Sequence, residues 1–397
     1  MIHSSTSIMK PQDYAALYKN NLLNSVIPFW MEHSRDDASG GYFTCLDTTG
    51  NVYDTDKFMW LQCRQIWCFA MLYNRVGKKQ EWLDFALHGA NFVLEHGRDA
   101  GGNFYFSLDR AGNPLVQPYN IFSDCFATMA FGQLYLATKN ELYADVARNT
   151  FYNILDRAEN TKGIYNKSYP GTRPLLSFSL PMILCNLVTE IETLLPADLY
   201  QQTIAHGIDT VMNRFYQPDL GLIVEHIQPD GTRSNSFEGR LINPGHGIEA
   251  MWFIMDLAEK QQDKTLIQKA VDITIATLEY AWDEKHEGIF YFLDQKGSPP
   301  QQLEWDQKLW WVHIESMISL AKGYAHTNDQ RCWQWFEKLH AYTWKHFVDE
   351  ENGEWFGYLN RKGEILLPLK GGKWKGCFHV PRGLYQLWQT MEKINAK

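Results

Sequence analysis

Gly288-Ile-Phe-Tyr-Phe-Leu-Asp294 is a glycine leading into an aromatic, strand-like run, and Gly102-Asn-Phe-Tyr-Phe-Ser-Leu-Asp109 is nearly the same phrase far upstream. Variants recur at Gly41 (Gly-Tyr-Phe-Thr-Cys-Leu-Asp), Gly163 (Gly-Ile-Tyr-Asn), Gly221 (Gly-Leu-Ile-Val-Glu-His) and Gly353 (Gly-Glu-Trp-Phe-Gly-Tyr-Leu-Asn). The six starts are separated by 61, 61, 58, 67 and 65 residues. Self-similarity at such a period marks a repeat architecture, here with room for two helices and one loop per repeat. Apolar residues between the loops follow helical spacing, as in Trp60, Cys63, Trp67, Met71 and in Phe126, Met129, Ala130, Leu134. A second helix of each pair is predicted over Trp82 to Glu95, Leu142 to Asp156, Leu266 to Tyr280 and Trp333 to His346. Hairpin-type turns are expected at Thr49-Gly50, Ala111-Gly112, Asp230-Gly231 and Lys362-Gly363.

Six helical hairpins can extend as an open superhelix or close into a ring. An open solenoid carries polar capping repeats, and none is visible. Glycine and aromatic residues at the loop ends favour closure, because equivalent loops then converge on one face and wall a pocket. The expectation is an all-α chain, residues 1–397 forming a single (α/α)6 barrel domain with short β-hairpin loops on one face.

Composition narrows the function. The chain is 45% hydrophobic and 21% charged, an ordinary globular balance. A net charge of −9 without a basic cluster argues against nucleic acid as a partner, since phosphate contacts need grouped Lys and Arg. No apolar run reaches 18 residues and Met1 to Lys10 lacks an apolar segment, so neither a membrane span nor a secretory leader is expected and the chain reads as cytoplasmic. Seven scattered cysteines with no Cys-x-x-Cys indicate neither a disulfide framework nor a zinc site. Fifteen Trp, 22 Phe and 20 Tyr fill cores and also suit a carbohydrate site.

Register picks out the chemistry. Counted from each repeat glycine, Arg64 falls at 23, His246 and His313 at 25, and His379 at 26. In a ring, equivalent positions point at a common centre, so groups spread over more than 300 residues become one constellation. The stretch from Glu238 to Trp252 brings Arg240, Asn243, His246 and Glu249 close together, with Pro244-Gly245 breaking the backbone just before a helix. The alternative for His246 is a helix-start residue without chemistry. His313 and Glu315 are two residues apart and do not share a helix face, so no metal is expected there. His33, His96, His206, His226 and His346 are expected to be surface or core residues.

Four motifs, Trp60-Leu-Gln-Cys-Arg-Gln-Ile-Trp67, Arg240-Leu-Ile-Asn-Pro-Gly-His-Gly-Ile-Glu249, Lys308-Leu-Trp-Trp-Val-His-Ile-Glu315 and Trp374-Lys-Gly-Cys-Phe-His379, stand in an order that resembles the N-acylglucosamine 2-epimerase family. The likeness covers nearly the whole chain. Cellobiose epimerases and aldose-ketose isomerases of the same superfamily carry a further histidine in the third repeat, where this chain reads Ser179-Leu-Pro-Met-Ile-Leu-Cys-Asn-Leu187, similar to the N-acetylglucosamine branch. The resemblance implies interconversion of N-acetylglucosamine and N-acetylmannosamine by a homodimer, with no cofactor consumed and ATP as an allosteric effector. No Gly-x-x-x-x-Gly-Lys-Ser/Thr loop is present. The basic loop Asn166-Lys-Ser-Tyr-Pro-Gly-Thr-Arg173, through Lys167 and Arg173, is the candidate for the phosphates, with a solvated interhelical loop as the alternative.

Inverting C2 of a 2-acetamido sugar means removing the proton beside the open-chain aldehyde and returning one to the other face. Histidine suits both roles, since its ordinary pKa of about 6.5 keeps both protonation states available. His246 and His379 are the expected pair, and Arg64 the donor that holds the charge on O1, its alternative being an ion-pair partner inside the barrel. Glu249 and Glu315 are expected to orient the histidines or bind hydroxyls, or else to pair with Arg64 or Arg240. Arg240, Asn243, Trp310, Trp311, Trp374 and Lys375 complete the expected substrate-binding set. The rivals are another sugar 2-epimerase or aldose-ketose isomerase of this superfamily, a glycoside hydrolase on the same barrel using two of Glu225, Glu238, Glu249 and Glu315, and a non-catalytic scaffold, since relatives in this family are known as renin-binding proteins.

Overall fold

Each of the six repeat glycines, Gly41, Gly102, Gly163, Gly221, Gly288 and Gly353, has a positive φ, between 55° and 84°. Only glycine enters that region freely, so the repeated residue marks where the chain leaves one helix and turns back over it. The computed structural model describes residues 9–397. After each glycine come strands of two or three residues, then a helix entering the ring.

The inward helices are α3 (Met59–Arg75), α5 (Phe122–Thr138), α7 (Ser179–Glu190), α10 (Pro244–Gln261), α12 (Trp310–Thr327) and α14 (His379–Asn395). Each is preceded by an outer helix: α1 and α2 (Pro11–Asn21 and Ile27–His33, joined by one wider turn), α4 (Gln80–His96), α6 (Glu141–Asp156), α8 (Ala197–Asp209), α11 (Lys264–Ala281) and α13 (Gln330–Phe347). One single-turn helix, α9 (Phe237–Arg240), lies in the fourth loop. The inward helices are apolar almost all round; α12 buries Trp310 to Ala321 without a break, as a helix packed on both neighbours and an outer helix must. The outer helices keep one apolar stripe, as α13 does with Cys332, Phe336, Leu339, His340 and Thr343.

The ring closes through backbone as well as side chains. Lys370 and Gly371 both donate to the Leu46 carbonyl (2.9 and 3.2 Å), tying the sixth loop to the first. A side chain on Gly371 would collide with the Thr44 carbonyl, so this seam requires glycine. On the outside, Tyr14 and Tyr18 of α1 pack on His340 of α13, Tyr18 bonding its Nδ1 at 2.8 Å. On the far face, Glu190 accepts from Trp67 (2.9 Å), Gln133 (2.6 Å) and Arg75 (3.1 Å), binding the ends of α3, α5 and α7. The six-hairpin ring is the (α/α)6 barrel the periodicity predicts.

Three of the four expected turns, at Gly50, Gly112 and Gly363, close true hairpins. Under each lies a histidine from the end of the preceding outer helix, His33, His96 and His346, so close that only glycine fits above it. The fourth, Asp230-Gly231, has the same left-handed glycine but closes no hairpin: the strand before it, His226–Ile227, pairs instead with Leu176–Ser177 of the third loop. His226 bonds the Glu238 carbonyl, and His313, His33, His96 and His346 all serve packing.

Neighbouring loops are buckled by buried ion pairs that repeat with the fold. Lys57 bonds Asp36 (2.9 Å), which Arg110 of the second loop also grips. Lys308 bonds Asp283 (3.2 Å), gripped by Arg361 of the sixth loop (2.8 Å). Lys370 bonds Asp349 (2.7 Å). All seven cysteines are buried and unpaired. No helix among the described residues is long and apolar enough to cross a membrane.

Candidate active site

The inward helices begin on the loop face, and their first two turns aim side chains at the barrel axis. Position is governed by where each helix starts. Arg64, Glu249 and Glu315 are each the sixth residue of α3, α10 and α12, and they face one another across the ring. His246 is the third residue of α10, and His379 opens α14.

Asn243 caps α10, its side chain accepting the His246 backbone N–H at 3.2 Å. It is buried, and the cap starts the helix so that His246 projects into the pocket. The His246 Nδ1–H donates to Glu225 Oε1 at 3.0 Å. His379 repeats the arrangement, Nδ1–H donating to Glu315 Oε1 at 2.8 Å. A carboxylate on Nδ1 fixes the tautomer and leaves Nε2 for chemistry. Both rings flank Trp311, with centroids 5.4 Å (His246) and 5.7 Å (His379) from it. Gly245 makes room for that indole, for a side chain there would strike it.

Arg382, one turn after His379 on α14, is fully buried and bonds both Glu249 and Glu315, the latter at 2.7 Å. Glu315 also accepts from Trp252 at 2.9 Å. The cluster Glu249, Glu315 and His379 has the donors of a small metal site, but the Arg382 guanidinium already stands between the two carboxylates and supplies the positive charge. Arg382 is the functional residue the motifs missed; its signal is the i, i+3 spacing from His379, which puts both on one helix face. Glu225 was visible as a lone carboxylate inside the apolar run Leu222-Ile-Val-Glu-His226.

Arg64 has no such partner. Its guanidinium lies among three rings, Trp60 (4.5 Å), Phe126 (4.0 Å) and Phe378 (4.7 Å). Its Nε is buried without a hydrogen-bond acceptor, and no carboxylate pairs with it among the described residues. Burial and the charge of Arg382, against Glu249 and Glu315, bring it down to about 9, which leaves it charged at neutral pH.

The same forces set the histidines apart. For His246, burial lowers the pKa, but the charge and hydrogen bond of Glu225, with Glu249 behind, outweigh it and the net shift is upward. For His379, burial and the charges of Arg64, Arg382 and His246 prevail over Glu249, and it lies well below the ordinary value. Two titratable groups driven in opposite directions in one pocket are the pattern of an acid and a base.

Several sequence expectations are corrected. Arg240 is not in the pocket: it braces the fourth loop against the fifth, bonding Asp294 (2.9 Å) and the Asn235 carbonyl (2.7 Å). Lys375 is wholly buried beneath the sixth loop, bonding Glu354 and the Lys370 carbonyl, both at 2.8 Å, so it holds the loop and meets no solvent. Glu249 pairs with Arg382 instead of Arg64 or Arg240. His313, level with His246 when counted from the glycine, is one residue later in its helix; it points outward, accepts from Ile289 N–H (3.1 Å), and burial lowers it to about 3. Trp310 turns its edge to Tyr358 and His379, whereas Trp311 faces the pocket. Trp374 is half exposed on the rim against Trp60. Lys167 and Arg173 lie on an exposed loop; Arg173 reaches Glu238 at 3.6 Å. The hydrolase rival fails on these contacts. Glu249 and Glu315 share Arg382, Glu225 bonds His246 and Glu238 is exposed, so no facing pair of free carboxylates remains.

A family model described as "N-acylglucosamine 2-epimerase (GlcNAc 2-epimerase)" matches residues 41–380. The N-acylglucosamine 2-epimerase of Mus musculus is 38% identical over 377 residues, covering 93% of this chain and 90% of that protein. That of Homo sapiens is 37% identical, covering 91% and 86%. Among solved structures, cellobiose 2-epimerase from Bacillus thermoamylovorans B4167 superposes with a TM-score of 0.83 at 22% identity, over 95% of this chain and 99% of that one, and so shares the fold.

Proposed function

This chain belongs to the N-acylglucosamine 2-epimerase family, and we infer that it is an isomerase interconverting N-acetylglucosamine and N-acetylmannosamine at C2 of the open-chain sugar. The observation that carries the inference to residues is the pair of histidines, His379 buried and His246 partly so, each held at Nδ1 by a glutamate and both packed on one indole, in a pocket with a guanidinium that makes no ion pair among the described residues.

On this reading Nε2 of neutral His379 takes the C2 proton. The C–H electron pair becomes the C1–C2 double bond, and the aldehyde oxygen takes up the negative charge, which Arg64 stabilises with N–H groups that no acceptor among the described residues uses. Nε2–H of charged His246 then returns a proton to the other face of C2, and the O1 charge collapses back to the aldehyde. The two histidines leave with their protonation exchanged and reset through solvent. The other epimer runs the same steps in reverse. Trp311 supplies a flat apolar wall for the sugar, and Glu315, Glu249 and Arg382 keep His379 in place.

ATP as an unconsumed effector held by Lys167 and Arg173, a homodimeric state and a cytoplasmic location belong to the same proposal, and the family resemblance supports them. The deciding experiment is proton NMR of N-acetylglucosamine in D₂O with the enzyme, with and without ATP, beside a panel of aryl glycosides. Deuterium entering C2 together with formation of the manno epimer is expected; glycoside cleavage without exchange would overturn the assignment.

A further inference from the structure

The two histidine–glutamate pairs differ in one respect. Glu315 Oε1, which receives His379, also receives Arg382 at 2.7 Å, and Oε2 receives Trp252. Its charge is therefore shared with a guanidinium, which also serves Glu249. Glu225 has no cationic partner other than His246 among the described residues. Its backbone is pinned on both sides: its carbonyl accepts from Phe178 at the threshold of α7 (3.0 Å), and its N–H reaches the Leu241 carbonyl just ahead of α10 (3.4 Å). The side chain is held at the ring while the carboxylate stays unshared, in a place where burial makes its charge count.

The surroundings of His246 leave Glu225 as the group that decides. From its own helix Glu249 looks toward it, but Arg382 shares that carboxylate. From α14 comes His379. From α12 comes Trp311, which carries no charge. From the fifth loop comes Tyr291, set edge-on against Trp311 and near Glu225, with a phenol raised by burial and by Glu304 and Glu225, so it stays neutral.

We propose that Glu225 is the positioning residue that keeps His246 oriented and protonated at rest, so that the enzyme waits with His379 as proton acceptor and His246 as donor. The proposal rests on the two-histidine mechanism above and adds to it the source of the asymmetry: a carboxylate with no other cation behind one imidazole, and one shared with a guanidinium behind the other. Glu225 itself touches no reacting atom.

The test is the pH dependence of kcat/KM for the parent, Glu225→Gln, Glu225→Asp and His246→Asn, read in both directions. Gln retains an oxygen to accept the Nδ1–H but lacks the charge. Removing an opposite charge at this distance moves a pKa by about one to three units. The alkaline limb of Glu225→Gln is therefore expected to move down by at least about one unit, equally in both directions as the equilibrium requires, with activity recovering toward acid pH. Glu225→Asp, shorter but charged, is expected to lose rate while keeping the parental limb. A Gln limb that superimposes on the parent's, or an Asp limb displaced as far as Gln's, would overturn the role of Glu225. An active His246→Asn enzyme would instead overturn the underlying mechanism. Ring-proton NMR of the parent supplies a measurement that needs no variant: His246 is expected to titrate above His379, and the opposite order defeats the proposal.

Discussion

Replacing Arg64 by lysine keeps the charge in name only. The guanidinium sits 4.0 to 4.7 Å from three ring centroids, and each such contact is worth about 0.5–2 kcal/mol when desolvated. The flat cation slides between rings, whereas a compact, strongly hydrated ammonium does not. Electrostatics add a second penalty. The burial and the Arg382 charge that bring Arg64 down to about 9 also push down a lysine, whose ordinary value of about 10.4 is lower to begin with. The substituted side chain therefore holds its charge less firmly than the guanidinium does. Loss of one directed donor to a developing oxyanion costs about 2.7–4 kcal/mol, or about 10²–10³ in kcat. For Arg64→Lys we therefore expect kcat at pH 7.5 to fall by about that factor, with a much smaller change in KM, and part of the loss to be regained near pH 6 as the ammonium is restored. The assay is conversion of N-acetylmannosamine followed by proton NMR across that pH range. An Arg64→Lys enzyme within about threefold of the parental kcat, a threefold change being well under 1 kcal/mol of barrier, would refute the assignment of Arg64 to the O1 charge.

His246→Asn and His379→Asn are each expected to abolish net epimerisation while at least one still exchanges the C2 hydrogen of one epimer with D₂O, each acid/base group being worth about 10²–10⁴ in rate; near-normal epimerisation by either variant would return that histidine to a helix-start residue. Neutralising Lys167 and Arg173 together is expected to remove the response to ATP and leave basal turnover standing, and an unchanged activation curve sends the nucleotide elsewhere. Asp283→Asn leaves Lys308 buried without its counter-charge and is expected to cost about 3–5 kcal/mol in urea unfolding. In the parent, burial raises Asp283, but Arg361 and Lys308 prevail and hold it at about 2. A carboxylate depressed on folding stabilises above its unfolded value of about 3.9 and loses that contribution as pH falls toward its folded one, so the gap between parent and Asp283→Asn is expected to narrow between about pH 4 and pH 2. A gap that stays constant over that window would detach Asp283 from the acid sensitivity.

The architecture is legible in the sequence, because what builds it is local. A glycine that must take a positive φ, a short aromatic run and a helical stripe are each properties of a few adjacent residues, and repeating them six times specifies the ring. Register also pointed to Arg64, His246 and His379, which the structure brings into one pocket, since quasi-equivalent positions in a ring point at one axis. The tertiary structure alone decided which neighbours of those residues face the pocket. One residue turns a side chain by about 100° around a helix, so counting from the glycine puts His313 level with His246, while counting from the helix start moves His313 one place on and puts Glu315 level with Glu249 instead. It alone decided that Arg240 and Lys375 are braces, because the acceptors that claim them, Asp294 and Glu354, belong to loops whose approach no local pattern records. And it alone decided the electrostatics: Arg382 meets Glu249 and Glu315 from 133 and 67 residues away and leaves Glu225 unshared, and this long-range pairing makes two chemically identical imidazoles unequal.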